Sequence, residues 1–264
     1  MEVRSYAKIN WALRVTGKRA DGYHDIETLF QTISLHDTLT FRTAERLSLT
    51  CAELSVDETN LVLRAARALG SPPVAITLQK RIPVGGGLGG GSSNAAATLV
   101  ALAKMFDIRQ PLHDVALSVG SDVPFFLHGG TAYATGRGEA LTPLPHVAPV
   151  ALLLVMPEAS VLTSEAYAML RRFSRPLGLQ PYQAMIENDL LDHARDLIND
   201  FEEPIFATLP ELARVKSRLL ETGAAWAGMS GSGSTIVGAF RTPGERDSAL
   251  RRFDDVRVIA AETT

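Results

Sequence analysis

The sequence predicts an α+β fold in two lobes, and three features carry that reading. Segments rich in β-branched and aromatic residues crowd the first 80 positions, an apolar helix follows at 92–106, and a second set of strands and helices begins after a proline cluster at 143–149. Early strands are expected at 3–9, 11–16, 26–35, 38–42 and 74–79, separated by turn-forming residues. Residues 61–69 have helical periodicity, with Asn60 as N-cap and Gly70 as the stop. The helix at 92–106 carries Ala, Leu, Val and Met almost all round and should be largely buried. Pro143, Pro145 and Pro149 fall close together and set a boundary between domains 1–149 and 150–264. Beyond it we expect a buried strand at 150–156, a helix at 211–221 stopped by Gly223, a strand at 235–240, a helix at 245–253 and a strand at 256–260.

Composition narrows the classes of function. The chain has 264 residues, is 46% hydrophobic and 21% charged, and so can build a full core and is neither disordered nor a coiled coil. A formal charge of −3 argues against nucleic acid as the partner. Cys51 is the single cysteine, which excludes an internal disulfide and a cysteine-rich zinc site. The longest uncharged apolar run, 147–156, is too short to span a bilayer, and no signal-peptide core follows residues 1–5. A soluble, cytoplasmic protein without membrane association is expected. Only five of the 26 basic residues are lysine, at 8, 18, 80, 104 and 216. Where arginine is the default cation, a lysine hints at a need for a compact point charge.

The most informative stretch is Pro83-Val84-Gly85-Gly86-Gly87-Leu88-Gly89-Gly90-Gly91-Ser92-Ser93, which holds six of the 21 glycines and opens straight into the apolar helix. Every glycine ordered on folding carries an entropic cost, so the cluster needs a reason. Peptide N–H groups without a Cβ beside them can approach an anion closely, and a helix N-terminus adds unpaired donors and a positive dipole end. The pattern suits a di- or triphosphate, with Ser92 and Ser93 offering hydroxyls to a phosphate oxygen or to magnesium. It is not a Walker A loop, since no lysine follows the glycines, nor a dinucleotide fingerprint, because Asp107 ends a helix instead of a strand. A mobile linker and ordinary serine caps are the plainer alternatives.

Residues 83–96 resemble the phosphate-binding motif of the GHMP small-molecule kinases. Ala7-Lys8-Ile9-Asn10 with Gly17-Lys18-Arg19-Ala20-Asp21-Gly22-Tyr23-His24 resembles an N-terminal signature of that family, and Met229-Ser230-Gly231-Ser232-Gly233-Ser234 its third, glycine-rich motif. Gly120-Ser121-Asp122-Val123-Pro124-Phe125-Phe126 is similar to the segment carrying its catalytic aspartate, with Ser121 where alanine is common. The long glycine loop together with Asp21-Gly22-Tyr23-His24 resembles the members that phosphorylate a cytidine diphosphate conjugate of methylerythritol.

The resemblance implies a two-lobed fold with its active site between the lobes, ATP with Mg2+, and a small-molecule alcohol as substrate in isoprenoid precursor synthesis. A monomer or homodimer is expected, the sequence not deciding between them. Lys8 and Asp122 match the catalytic pair; from the residues alone, Asp122 reads as a cap after Gly120 and Lys8 as a solvated strand lysine. Tyr23 and His24 match the cytidine-recognition segment, Tyr23 stacking on the base and His24 bonding its edge. Tyr167 falls where a second aromatic closes the stack, with a helix-core tyrosine as the alternative. Asn10 is implied to reach the methylerythritol end. Asn60 and Lys80 lie where the family contacts ATP, and equally read as a helix cap and a strand-end lysine.

Overall fold

The computed structural model describes residues 1–264. Its chain divides into two compact units that interleave along the sequence. One comprises 1–7, 35–84 and 89–129, the other 8–34, 85–88 and 130–264, so their borders fall elsewhere than residue 149.

Two long strands, β1 (Glu2–Lys18) and β2 (His24–Thr43), pair with each other and run through both units. The sequence pattern breaks each in two, at Asn10 and at His36-Asp37. Asn10 and Asp37 are in fact buried and hydrogen-bonded, so neither polar residue ends its strand. After them the first unit adds β3 (Ser48–Cys51), α1 (Leu61–Leu69), β4 (Val74–Gln79), α2 (Gly90–Met105) and α3 (Leu112–Val119). There the second half of β2 pairs antiparallel with β4, Leu39 opposite Leu78, and β4 pairs parallel with β3. The helices cover this sheet through Val62, Leu69, Ala95, Leu99 and Leu102.

The caps of α1 are those expected. The Asn60 side chain accepts from Val62 N at 2.9 Å, and Gly70, left-handed at φ 67°, donates back to Ala66 and Arg67. Helix α2 begins two residues before the expected start. Its N-cap is Gly89 (φ 68°), which offers no side chain, so Ser92 and Ser93 sit inside the first turn and do not cap it.

The second unit holds β5 (Thr131–Thr135), β6 (Ala140–Leu144), β7 (Ala151–Met156), α4 (Thr163–Met169), α5 (Leu179–Glu187), α6 (Glu202–Thr208), α7 (Pro210–Glu221), β8 (Trp226–Met229), β9 (Ile236–Phe240), α8 (Pro243–Leu250) and β10 (Arg257–Glu262). The first half of β2 pairs with β5, and β5 with β6. A separate antiparallel sheet runs β10-β7-β9-β8, and every residue of β7 is buried, as its unbroken apolar run requires. Helix α8 starts earlier than expected because Thr242 and Glu245 form a reciprocal capping box.

One buried charge organises the first unit. Asp37, with no exposed surface, accepts from Lys80 Nζ at 2.7 Å, Arg81 N at 2.6 Å, Ile82 N at 2.8 Å and Asn94 Nδ2 at 3.0 Å. It thereby fixes the exit of β4 relative to the first turn of α2. Asp37→Asn is expected to leave Lys80 without a counter-charge and lower the unfolding free energy by about 3 kcal/mol. Urea denaturation checks this, and a loss below about 1 kcal/mol, the scale of an exposed pair, would contradict it.

Candidate active site

Lys8 and Asn10 point from β1 into the second unit because the strand buries these polar positions along with its apolar ones. A buried ammonium must find acceptors. Lys8, 3% exposed, donates to Asn10 Oδ1 at 2.6 Å and to the Gly87 carbonyl at 2.9 Å, and lies 5.4 Å from the centre of the Phe30 ring. The solvated-lysine alternative therefore does not hold. Asn10 donates in turn to Thr28 Oγ1 at 2.7 Å, and Thr28 to the Ala12 carbonyl at 2.6 Å, so the Asn10 amide is fixed at both ends.

The same Gly87 carbonyl accepts from Ser230 Oγ at 2.9 Å. A Cβ on Gly87, which has φ +74°, would lie 1.9 Å from the Ser230 carbonyl oxygen, where only glycine fits. Lys8 N donates to the Leu88 carbonyl at 3.0 Å, and the Leu88 side chain is buried. Three segments remote in sequence thus meet at residues 87–88.

Within the first unit, the start of α2 lies close to Lys80. A Cβ on Gly90 would come 3.0 Å from Lys80 Nζ and 2.9 Å from Ile82 Cγ2. The Ser93 hydroxyl accepts from Ser5 Oγ at 2.7 Å and donates to the Tyr6 carbonyl at 2.6 Å, while Ser92 is half-buried. Val84 stands exposed and Pro83 half-buried at the head of the loop. Asp122 occupies the turn before a single 3-10 turn, Pro124–Leu127, whose N-cap is Val123. Asp122 is therefore not the cap that its neighbours suggest.

Tyr23 and His24 lead into β2. Tyr23 is 53% exposed, its N–H bonded to Asp21 Oδ1 at 3.1 Å and its ring 4.6 Å from the Arg137 guanidinium. The His24 ring stacks on Tyr167 of α4 at 4.5 Å and 15°, with Phe173 tilted against it at 6.0 Å. Tyr167 also meets Phe201 edge-on at 4.9 Å, so it belongs both to the apolar core and to the stack. Loss of hydration, and secondarily the charge of Lys18, hold the His24 pKa below its ordinary 6.5.

Sequence reasoning missed Thr28, Phe30, Asp37 and Phe173. Nothing near them in the chain marks them, because each acts on a partner supplied by a distant segment.

A sequence model of the GHMP kinases N terminal domain matches residues 60–130, and one of the GHMP kinases C terminal matches 165–257. Together they define a small-molecule kinase, a class that takes ATP as phosphate donor. The chain is 40% identical to the 4-diphosphocytidyl-2-C-methyl-D-erythritol kinase of Chlorobium chlorochromatii (strain CaD3) over 95% of its own length and 92% of that protein. A crystal structure of 4-(cytidine 5'-diphospho)-2C-methyl-D-erythritol kinase superposes with a TM-score of 0.87 at 37% identity, covering 100% of this chain and 99% of the other. The chain belongs to the 4-diphosphocytidyl-2-C-methyl-D-erythritol kinase family. The mevalonate kinase of Methanococcus jannaschii, at 14% identity and a TM-score of 0.71 over 100% of this chain and 98% of that one, shares the fold.

Gly87→Ala is expected to push the loop away from Ser230 and weaken ATP binding about tenfold or more, the cost of losing one charge-assisted bond. Isothermal titration measures it, and unchanged affinity would contradict it.

The fold favours neutral His24, because its native pKa lies below the unfolded value. The stability this contributes is present above pH 6.5 and is lost as pH falls through the lowered native pKa. An NMR titration of the His24 imidazole should give a midpoint below 6.5, and Lys18→Gln should raise it slightly. A midpoint at or above 6.5 would contradict the assignment of burial as the cause.

Proposed function

We propose that the chain transfers the γ-phosphoryl group of ATP to the 2-hydroxyl of 4-diphosphocytidyl-2-C-methyl-D-erythritol, in the non-mevalonate route to isoprenoid precursors. The observation that carries this is the 40% identity, over nearly the whole of both chains, to a kinase named for that substrate.

In this reading Asp122 takes the proton of the attacking hydroxyl. The Lys8 ammonium offsets charge on the moving phosphoryl group. Lys8 is held for this work by Asn10 and the Gly87 carbonyl, which restrict where its charge can go. Asn10, braced by Thr28, faces the methylerythritol end. Residues 83–93 take the ATP phosphates, and the absence of a capping side chain on Gly89 leaves the first N–H groups of α2 to an anion. Lys80, beside Gly90, and Asn60 complete the ATP side. Mg2+, when bound, would neutralise phosphate charge. With the Ser93 hydroxyl engaged by Ser5 and Tyr6, we assign Ser92 as its protein contact.

Tyr23 offers its exposed ring to the cytosine, His24 its edge, and Tyr167 closes the stack. The halves 1–149 and 150–264 act as the ATP-phosphate-binding, catalytic part and the C-terminal part, consistent with family matches on either side of that cut. No helix is long and apolar enough to cross a membrane. We place the enzyme in the cytoplasm as a monomer or homodimer, acting on this small molecule and not on nucleic acid.

Coupled ADP release with a panel of alcohols tests the substrate: the cytidine diphosphate conjugate should support turnover, and mevalonate, homoserine and free sugars should not. Turnover confined to one of the latter would overturn the reading. Asp122→Asn should reduce turnover by about 100- to 10,000-fold, the usual range for a lost general base, with ATP binding unchanged. Near-normal turnover would remove Asp122 from that role.

A further inference from the structure

The turn after β8 is held from behind by a residue that no glycine motif contains. Asn199 lies on a short segment that runs beside β1: Leu13 N donates to the Ile198 carbonyl at 2.8 Å, and Asp200 N to the Leu13 carbonyl at 2.9 Å. Asp200 tightens the alignment by accepting from Val15 N at 2.7 Å. Placed there, Asn199 is 8% exposed and its amide is fully used. Its two N–H groups go to the Met229 carbonyl at 2.7 Å and the Gly231 carbonyl at 2.8 Å, and its Oδ1 accepts from Phe201 N at 3.0 Å. Three residues on, Glu202 accepts from Met229 N at 2.8 Å.

Ser230 lies between the two carbonyls that Asn199 grips. A peptide carbonyl on each side, both drawn to one amide, leaves the turn little freedom to rotate. Its remaining side chain, the Ser230 hydroxyl, then points at the Gly87 carbonyl. Gly87 is packed against the Ser230 backbone so closely that a shift of either must move the other.

We infer that Asn199 is a positioning residue for ATP binding: it sets the Met229–Gly231 turn, and through Ser230 the conformation of the glycine loop. This rests on the reading of residues 83–93 as the phosphate cradle. The chemistry is specific to an amide. A carboxylate at 199 would set an acceptor against two carbonyls, and an aliphatic residue would leave three buried groups unpaired.

The test titrates a non-hydrolysable ATP analogue and, separately, CDP into Asn199→Ala, with melting curves recorded alongside. With the turn released and the loop displaced, the analogue should weaken about 10- to 100-fold, the scale of one charge-assisted bond lost. CDP should stay within about twofold, because a residue that merely held the fold would weaken both ligands together. In a Ser230→Ala background, Asn199→Ala should cost less than it does in the wild type, because the hydroxyl route is already gone and only the Ser230 backbone contact with Gly87 remains. Analogue affinity within about twofold of wild type, parallel loss of both ligands, or full additivity with Ser230→Ala would each overturn the inference. Should Asn199→Ala not fold, Asn199→Ser, which keeps one donor, is read by the same criteria. Failure of both to fold would also overturn it, by making Asn199 a residue of the core alone. The cradle reading fails separately, when Gly87→Ala binds the analogue like wild type.

Discussion

The buried carboxylate of Asp37 is the constraint on which the first unit depends. An ionised group without water must be met by donors, and here the donors come from 80–82, where β4 ends, and from Asn94, where α2 begins. A glycine run cannot fix its own course, since it has no side chains to pack and much backbone entropy to lose. What determines it must be the residues at its ends. Asp37 joins them through two backbone N–H groups, an ammonium and an amide, and Ser5 adds a hydrogen bond to Asn94 Oδ1 at 2.7 Å. The geometry of the loop's approach is thus set by a strand residue more than 40 positions before it.

In the second unit the equivalent constraint is a single carbonyl. Gly87 O has two lone pairs, and Lys8 and Ser230 each donate to it. The lysine is held on its other side by Asn10 Oδ1, and the serine is carried on a turn whose flanking carbonyls are both bonded to Asn199. Neither donor is free to adapt to a changed loop. Glycine is required at 87 for this reason, and not for flexibility: the Ser230 backbone occupies the space a side chain would need.

Local physics was legible in the sequence; long-range electrostatics was not. Asn60 and Gly70 bound α1 as read, because a cap acts within a few residues of itself. The burial of α2 followed from its composition. By contrast the sequence pattern breaks β1 and β2 each into two strands, since Asn10 and Asp37 look like interruptions when their partners are unknown. Those partners lie on other elements, Thr28 for Asn10 and Lys80 for Asp37. Helices α4 and α6 are seven residues long, too short to establish a period. Beside the glycine cluster, lysine usage was a compositional clue: Lys8 is buried and the Lys80 side chain is 9% exposed, while Lys18 and Lys104 are solvated.

On the proposed assignment, the two substrates are held by different physical means. Phosphate recognition rests on peptide groups whose positions are fixed by buried partners, so it tolerates almost no change in backbone. Each charge-assisted bond there is worth about 1.5–3 kcal/mol, and one Cβ can remove several by displacing the loop. Base recognition rests on Tyr23, half exposed and braced by Arg137, and on the His24–Tyr167 stack beside Phe173. A stack contributes about 1–3 kcal/mol and can be weakened by degrees without disturbing the backbone. Neutral His24 suits this, since an uncharged ring can lie flat on Tyr167 and still offer a hydrogen bond from its edge. Discrimination between alcohols on a shared kinase fold can therefore change at the aromatic corner without the glycine loop changing. The loop itself is fixed at Gly87, where the Cβ of any side chain would run into the Ser230 backbone.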